Sequence, residues 1–376
     1  MKQGHGSVLL AAGGTGGHLF PAQALAEELN RRDIPVDLVT DMRGDRYGTG
    51  FPARQVYQVP AATLAGRSPA AMARTAYLLG RGLAAAYLLL GKIKPKAVVG
   101  FGGYPTFPPL KAASLRGIPT ALHEQNAGLG RANRMLATGV TRIATSFETT
   151  KLLGPELQAK ARLTGNPVRS AVIDAAKRPY RRLEPGGTID VLVFGGSQGA
   201  RFFSEAVPPA LALLPEDLRR RLRIVQQARA EDLEAVVAAY RASGIGAEVA
   251  AFFKDLPERM AKAQLVVGRS GASTVAELTV VGRPSILVPL PHALDNDQLQ
   301  NAARLAESGA AWCIQQKELS AEGLARDFAA LFSDPDKLAA AAAEAQSLGR
   351  PDAVERLADL VEEFVRPYHV RWQPAP

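Results

Sequence analysis

Two stretches, half a chain apart, follow one plan. Ser7–Ala11 (SVLLA) is a short apolar run that meets Gly13–Gly14–Thr15–Gly16–Gly17–His18 and then a helical stretch to Leu29. Asp190–Phe194 (DVLVF) meets Gly195–Gly196–Ser197–Gln198–Gly199–Ala200 and then a second helical stretch. Each reads as a strand, a glycine-rich turn and a helix start. Apolar runs keep alternating with helical patterns after both: Val36–Thr40, Ala97–Gly100, Thr120–His123 and Arg142–Ser146, then Arg223–Gln226, Leu265–Gly268, Ser285–Val288 and Ala311–Ile314. Short apolar strands separated by helices predict doubly wound parallel sheets. The tandem predicts an α/β chain of two Rossmann-like doubly wound domains facing across a cleft, and 376 residues suffice for two cores. An N-terminal domain is expected at 1–170, a linker region at 171–188 and a C-terminal domain at 189–350. The linker reading rests on the polar, Pro- and Gly-containing Ala175–Thr188.

Composition narrows the classes. Hydrophobic residues make up 47% and charged residues 22%, as in a globular chain. The single Cys313 leaves no internal disulfide framework, fits a reducing compartment, and reads as a core residue of an apolar strand. The apolar run Val8–Ala12 is too short for a signal-peptide core or a membrane span. A net charge of +9 and a pI near 9.7 suit nucleic acid, anionic lipid or a phosphate-bearing substrate. An aromatic share of 6% argues against single-stranded nucleic acid, which needs stacking platforms.

A strand-to-helix turn without side chains presents backbone N–H groups and the positive end of a helix, a seat for diphosphate. The dinucleotide fingerprint wants glycine at position 19, where this chain has leucine, and no Walker lysine follows either loop. The loops therefore read as phosphate sites outside the common NAD and ATP signatures, or as tight turns only. Gly102–Gly103–Tyr104 forms a third such turn after the Ala97–Gly100 run.

Six strings carry a resemblance: GGTGGHLFPA at Gly13–Ala22, HEQN at His123–Asn126, GNPVR at Gly165–Arg169, GGSQGA at Gly195–Ala200, RSGASTVAE at Arg269–Glu277 and PLPHALDNDQLQNA at Pro289–Ala302. In this order and spacing the chain closely resembles the MurG family of peptidoglycan N-acetylglucosaminyltransferases, over roughly Ser7 to Ala302. The resemblance implies a GT-B type fold and an inverting, metal-independent transfer. N-acetylglucosamine would pass from UDP-N-acetylglucosamine to lipid I, the lipid-linked muramoyl-pentapeptide, giving lipid II. It implies no cofactor, an acceptor on the N-terminal domain, a donor mainly on the C-terminal domain, and a last helix, within 351–376, packing back on the first domain. A place in cell-wall synthesis, and through it in cell shape and division, goes with the family.

Carried over position by position, Thr15, Gly16 and Gly17 approach the donor. Asn126 and Arg169 contact it, and Ser197 with Gln198 meets the diphosphate. Ala272, Ser273, Thr274, Val275 and Ala276 form the nucleotide-sugar loop and helix start. Glu277 accepts from both ribose hydroxyls, a role suited to a group that offers acceptors only. Gln298 reads the sugar hydroxyls. Phe253 stands beside the uracil where many relatives have isoleucine. Gly103 and Tyr104 are expected on the acceptor.

The transfer needs a base on the acceptor hydroxyl and positive groups at the leaving diphosphate. His18 or Glu124 can be the base, with His18 narrowly preferred because imidazole is basic and mostly neutral near pH 7.5. The alternatives are that His18 bonds local backbone and that Glu124 pairs with Arg131 or Arg134. Ser197–Ala200 and Arg169 can meet the charge. Asp295–Asn296–Asp297 is a D-x-D string at a helix start, a context that does not suit a metal site. Met72–Lys96 mixes Leu78, Leu79, Leu83, Tyr87, Leu88 and Leu90 with Arg74, Arg81, Lys92, Lys94 and Lys96. With Arg81 breaking the apolar run it is expected not to span a bilayer; it reads as a helix on an anionic membrane surface, placing the protein peripherally on the cytoplasmic face, or as a core helix with solvated ends. Two rivals stay open: another two-domain UDP-sugar enzyme, such as a glycolipid glycosyltransferase or an epimerase, and a nucleotide-binding oxidoreductase or sensor with Asp41 on a ribose. Neither nucleic acid nor any protein partner is indicated.

Overall fold

A computed structural model describes residues 6–13, 16–41, 50–61, 68–291 and 296–366, with the backbone only at 16, 69–70 and 196–200. Thr15 and Asp295 lie outside the described residues. The chain divides into two compact units, Met1–Val168 with Asp352–Pro376, and Arg169–Pro351.

The first unit holds strands β1 (Val8–Ala11), β2 (Val36–Thr40), β3 (Val56–Gln58), β4 (Ala97–Gly100), β5 (Thr120–Glu124), β6 (Arg142–Thr145) and β7 (Ala161–Leu163). Its helices are α1 (Gly16–Arg31), α2 (Pro69–Ile93), α3 (Phe107–Leu115), α4 (Arg131–Ala137), α5 (Pro155–Gln158) and, from the far end of the chain, α15 (Ala353–Val365). The strands form a parallel sheet in the order β3-β2-β1-β4-β5-β6-β7. Side chains alternate along a strand, so a sheet covered on both faces needs apolar residues at every position. β1 meets that demand: Val8 and Leu10 join the core under α1 and α15, while Leu9 and Ala11 join the core under α2, α3 and α4.

The second unit holds α6 (Ser170–Ala176), β8 (Ile189–Phe194), α7 (Gly196–Ala212), α8 (Glu216–Arg219), β9 (Leu222–Gln227), α9 (Leu233–Ala242) and β10 (Gly246–Ala250). These are followed by α10 (Leu256–Lys262), β11 (Leu265–Gly268), α11 (Ala272–Val281), β12 (Ser285–Leu287), α12 (Asp297–Glu307), β13 (Ala311–Cys313), α13 (Ala321–Phe332) and α14 (Pro335–Leu348). Its parallel sheet runs β10-β9-β8-β11-β12-β13. The stretch 171–188, expected as a linker, is built into this unit instead. α6 packs on α10 and α11, the Tyr180 hydroxyl donates to the Gln264 carbonyl, and Leu183 is in the core. Polar composition there reflects a surface crossing with buried anchors at Tyr180 and Leu183.

The Met72–Lys96 stretch is mostly α2, a 25-residue helix started by Ser68, whose hydroxyl accepts from Ala71 N, with Pro69 in the first turn. One face packs on α3, and at Gly82 the Pro60 carbonyl comes so near that a Cβ would sit 2.1 Å from it. The other face leaves Met72, Tyr77, Tyr87 and Leu88 exposed. Residues Ala71–Ile93 are long and apolar enough to cross a bilayer by length and composition.

Candidate functional site

In open α/β sheets ligands bind at the carboxyl ends of the strands where the strand order reverses. In the first unit that point lies between β1 and β4, so the turns after Ala11 and Gly100 are adjacent. α1 opens there at Gly16–Gly17 and brings His18, half-buried, onto the turn Gly102–Gly103. A Cβ on either glycine would stand 3.4 Å from the imidazole, and both have positive φ (85° and 74°) that only glycine adopts cheaply. The His18 Nδ1 is buried without a hydrogen-bond partner. Burial holds the imidazole below its ordinary pKa, against the opposing influence of the Phe101 carbonyl and the Gln125 amide. Gln125 is itself fixed by donating to Phe101 O at 3.1 Å. Tyr104 follows the turn, half-buried, in a single helical turn that precedes α3.

Glu124, at the end of β5, is occupied. Its carboxylate accepts from Asn126 N (2.9 Å), Asn126 Nδ2 (3.4 Å), Gly130 N (2.9 Å) and Asn133 Nδ2 (2.6 Å). It is 1% exposed, and burial raises its pKa while these donors pull it back. Of the alternatives for Glu124, the structural one holds in kind, with Asn126, Gly130 and Asn133 as its donors where the sequence points to Arg131 or Arg134. Asn126 is thereby held against Glu124. His123 is buried, bonded through Nε2 to Gly165 O at 3.0 Å, and pushed down to about 4 by burial.

In the second unit the reversal lies between β8 and β11. α7 starts directly after β8, so Ser197 and Gln198 fall in its first turn. α11 starts after β11 on Gly271, which gives no side-chain cap. The first-turn N–H groups of Ala272, Ser273 and Thr274 therefore lack intrahelical acceptors and carry the positive helix end. Ser273 Oγ is buried without a partner among the described residues. Val275 is core, and Ala276 is half-buried.

One turn on, Glu277 is nearly buried, and its Oε1 accepts from Arg169 Nη2 (2.9 Å) and Nε (3.3 Å). Burial raises its pKa, and Arg169 opposes the rise. Its Oε2 takes no hydrogen bond among the described residues. Gln298, in the first turn of α12, accepts from Leu290 N at 3.0 Å through its side-chain oxygen, which leaves its NH2 to donate elsewhere. Its carbonyl accepts from Ser270 Oγ at 2.8 Å. Arg269, absent from the expected site residues, holds this region together. It donates to Val288 O, Pro289 O and Gln316 Oε1, with its guanidinium about 5 Å from the Phe202 and Phe203 rings of α7. Its signal was an arginine at a strand end beside two small residues. Phe253 is buried under the Arg259 guanidinium, 4.3 Å away, so its ring belongs to the fold. Among the described residues no three His, Cys, Asp or Glu side chains gather as metal ligands.

Residues 8–145 match the glycosyltransferase family 28 N-terminal domain and residues 190–357 the family 28 C-terminal domain. A UDP-N-acetylglucosamine–N-acetylmuramyl-(pentapeptide) pyrophosphoryl-undecaprenol N-acetylglucosamine transferase of Methylobacterium sp. (strain 4-46) is 56% identical over 357 residues, 95% of this chain and 96% of that protein. The enzyme of the same name from Rhodospirillum centenum (strain ATCC 51521 / SW) is 55% identical over 354 residues, 94% of this chain and 93% of its own. The crystal structure of Acinetobacter baumannii MurG superposes with a TM-score of 0.80 at 28% identity, covering 95% of this chain and 99% of that one. A UDP-GlcNAc 2-epimerase from Neisseria meningitidis, at 13% identity and a TM-score of 0.65 over 95% of this chain and all of its own, shares the fold alone. The chain belongs to glycosyltransferase family 28 and, within it, to the MurG family of N-acetylglucosamine transferases.

Proposed function

We propose that the chain transfers N-acetylglucosamine from UDP-N-acetylglucosamine to the muramoyl hydroxyl of undecaprenyl-diphospho-muramoyl-pentapeptide, inverting the anomeric centre. The observation that carries the donor side is Glu277, a nearly buried carboxylate in the second turn of α11 with one oxygen on Arg169 and the other taking no hydrogen bond among the described residues. A carboxylate so placed can take two ribose hydroxyls, and the open helix starts of α7 and α11 can take the diphosphate. In the transfer the acceptor oxygen bonds the anomeric carbon as the bond from that carbon to the diphosphate oxygen breaks. The electron pair leaves with UDP, where the helix starts and Arg169 meet it. The acceptor proton passes to His18. The leaving charge thus has protein donors of its own, and no divalent cation is assigned to it.

We further place the protein peripherally on anionic membrane, through the exposed face of α2, within peptidoglycan synthesis and so in cell shape and division.

The test is labelled donor with a soluble lipid I analogue, in chelator. Transfer should be matched by UDP release, and should persist. Activity that returned only with manganese or magnesium would overturn the metal-free reading. Epimerised donor formed without acceptor would put the chain in another class. Glu277→Ala should cost about 2–4 kcal/mol of UDP binding by calorimetry, a charge-assisted pair of bonds; unchanged affinity would remove the ribose assignment.

A further inference from the structure

Arg283 follows α11 and is 1% exposed, the largest fully buried side chain among the described residues. Among the described residues no carboxylate pairs with it. Its partners are backbone carbonyls: Val281 and Gly282 at 2.6 and 3.0 Å, Ala261 at 2.5 Å, and Arg178 and Pro179 at 3.0 and 3.4 Å. The Tyr180 ring lies 5.6 Å away. A buried guanidinium without an anion is costly, and here it is held only by the carbonyl ends of other elements.

Those carbonyls have a common origin. Val281 and Gly282 end α11, Ala261 lies in the last turn of α10, and Arg178 and Pro179 are the chain leaving α6. Helix C-termini carry orphan carbonyls and a negative dipole end, so one cation facing several of them is favourable. The opposite ends of the same helices carry the donor-side residues. Arg169 is the N-cap of α6, Asp255 that of α10, just after Phe253, and Gly271 that of α11, which carries Glu277.

We infer that Arg283 is a positioning residue for the donor: a shared C-terminal cap that fixes α6, α10 and α11 relative to one another, and so sets Arg169 against Glu277. The inference rests on the proposed donor role of that pair. Lysine in its place keeps the charge but is a single point with three donors on one nitrogen, unable to span three helix ends. Methionine fills the volume and leaves the carbonyls unpaired.

The experiment measures UDP affinity by calorimetry, and KM for donor and for acceptor separately, in Arg283→Lys and Arg283→Met. Phe328→Leu in α13, a core change elsewhere in this unit, is the control for lost stability. We expect donor KM and UDP Kd to rise about ten- to a hundredfold, as for an ångström-scale misplacement of binding groups, with acceptor KM within about twofold. In an Arg169→Ala background the Arg283 substitutions should add little further loss, since what α6 positions is already gone. Should Arg283→Met fail to fold, Arg283→Lys carries the decision. Wild-type donor KM in folded Arg283→Lys, equal losses for donor and acceptor, or losses that simply add to Arg169→Ala would each overturn the inference. UDP binding that is indifferent to both Glu277→Ala and Arg169→Ala would instead overturn the donor-site reading beneath it.

Discussion

A general base must have a lone pair free when the substrate arrives, and on that measure His18 and Glu124 differ sharply. Four donors converge on the Glu124 carboxylate, two of them backbone N–H groups that fix the loop leading to α4. Taking a proton there would break the bonds that hold Asn126 and Asn133. The His18 ring has a buried nitrogen with no hydrogen-bond partner among the described residues and packs against the Gly102–Gly103 turn, so no carboxylate-like set of donors has to be broken for it to take a proton. We expect His18→Ala to lower kcat by about 10²–10⁴-fold with UDP affinity nearly intact. Glu124→Gln should show its loss in thermal stability as well as in rate. The sign of the pH dependence follows from burial. Because burial lowers the imidazole pKa, His18 stays neutral to below its ordinary 6.5, and the acid limb of kcat/KM for free enzyme should fall below that value. An acid limb above 6.5, or full activity in His18→Ala, would remove His18 from the role.

At the scale of elements, α2 shows how far a pattern can be read and where packing decides. Its composition allowed either a core helix or a surface one, and the structure makes it both: one face on α3, the other bare, with Leu88 72% exposed beside Arg81, Lys92 and Lys94. Binding to phosphatidylglycerol vesicles should exceed binding to phosphatidylcholine vesicles. It should weaken with salt, since exposed charges are screened over about 10 Å at 0.1 M. Reversing Arg74, Arg81 and Lys92 to Glu should abolish the difference; equal binding to both vesicle types would exclude an electrostatic contribution. The central strands β1, β4, β5, β8 and β11 were legible because burial on both faces demands consecutive apolar residues, as in VLLA of β1 and VLVF of β8. β3, β7 and β10 were not, because each is an edge strand with no fully buried position, which leaves no run to see. The glycine turns were legible because a strand-to-helix turn without side chains is a local sequence feature. The support behind them, Asn133, Arg269 and Arg283, works through carbonyls and amides that chain contiguity does not reveal. For Arg283 the trace in the sequence is an arginine inside the apolar run VVGRPSILV.

At the scale of the whole molecule, the chain leaves its first unit at Val168, builds the second, and returns at Asp352 to finish the first with α15. The return is not ornamental. Leu357, Ala358, Leu360, Val361 and Val365 enter the core that covers β1 and β2. Arg32 at the end of α1 donates to Glu28, Asp359 and Glu362. Ending the chain at Pro351 would uncover apolar surface worth on the order of 5–10 kcal/mol, as much as a typical domain's entire stability. The first unit should then lose amide-exchange protection in β1, β2 and β4 while β8, β9 and β11 keep theirs. Full protection of β1 in the truncated chain would show α15 to be dispensable. A milder version of the same loss should come with acid. The Glu28 carboxyl is held below its ordinary 4.5, first by the Arg31 hydrogen bond and also by Arg32, against the opposing effect of burial. A carboxyl with a lowered folded pKa stabilises the fold above its unfolded value, and that contribution fades as pH falls through the lowered one. Below about pH 4.5 the first unit's melting temperature should therefore drop in the intact chain, and Glu28→Gln should be lower at neutral pH yet flatter through this range. A Glu28→Gln chain as acid-sensitive as the parent would shift the effect to other carboxylates.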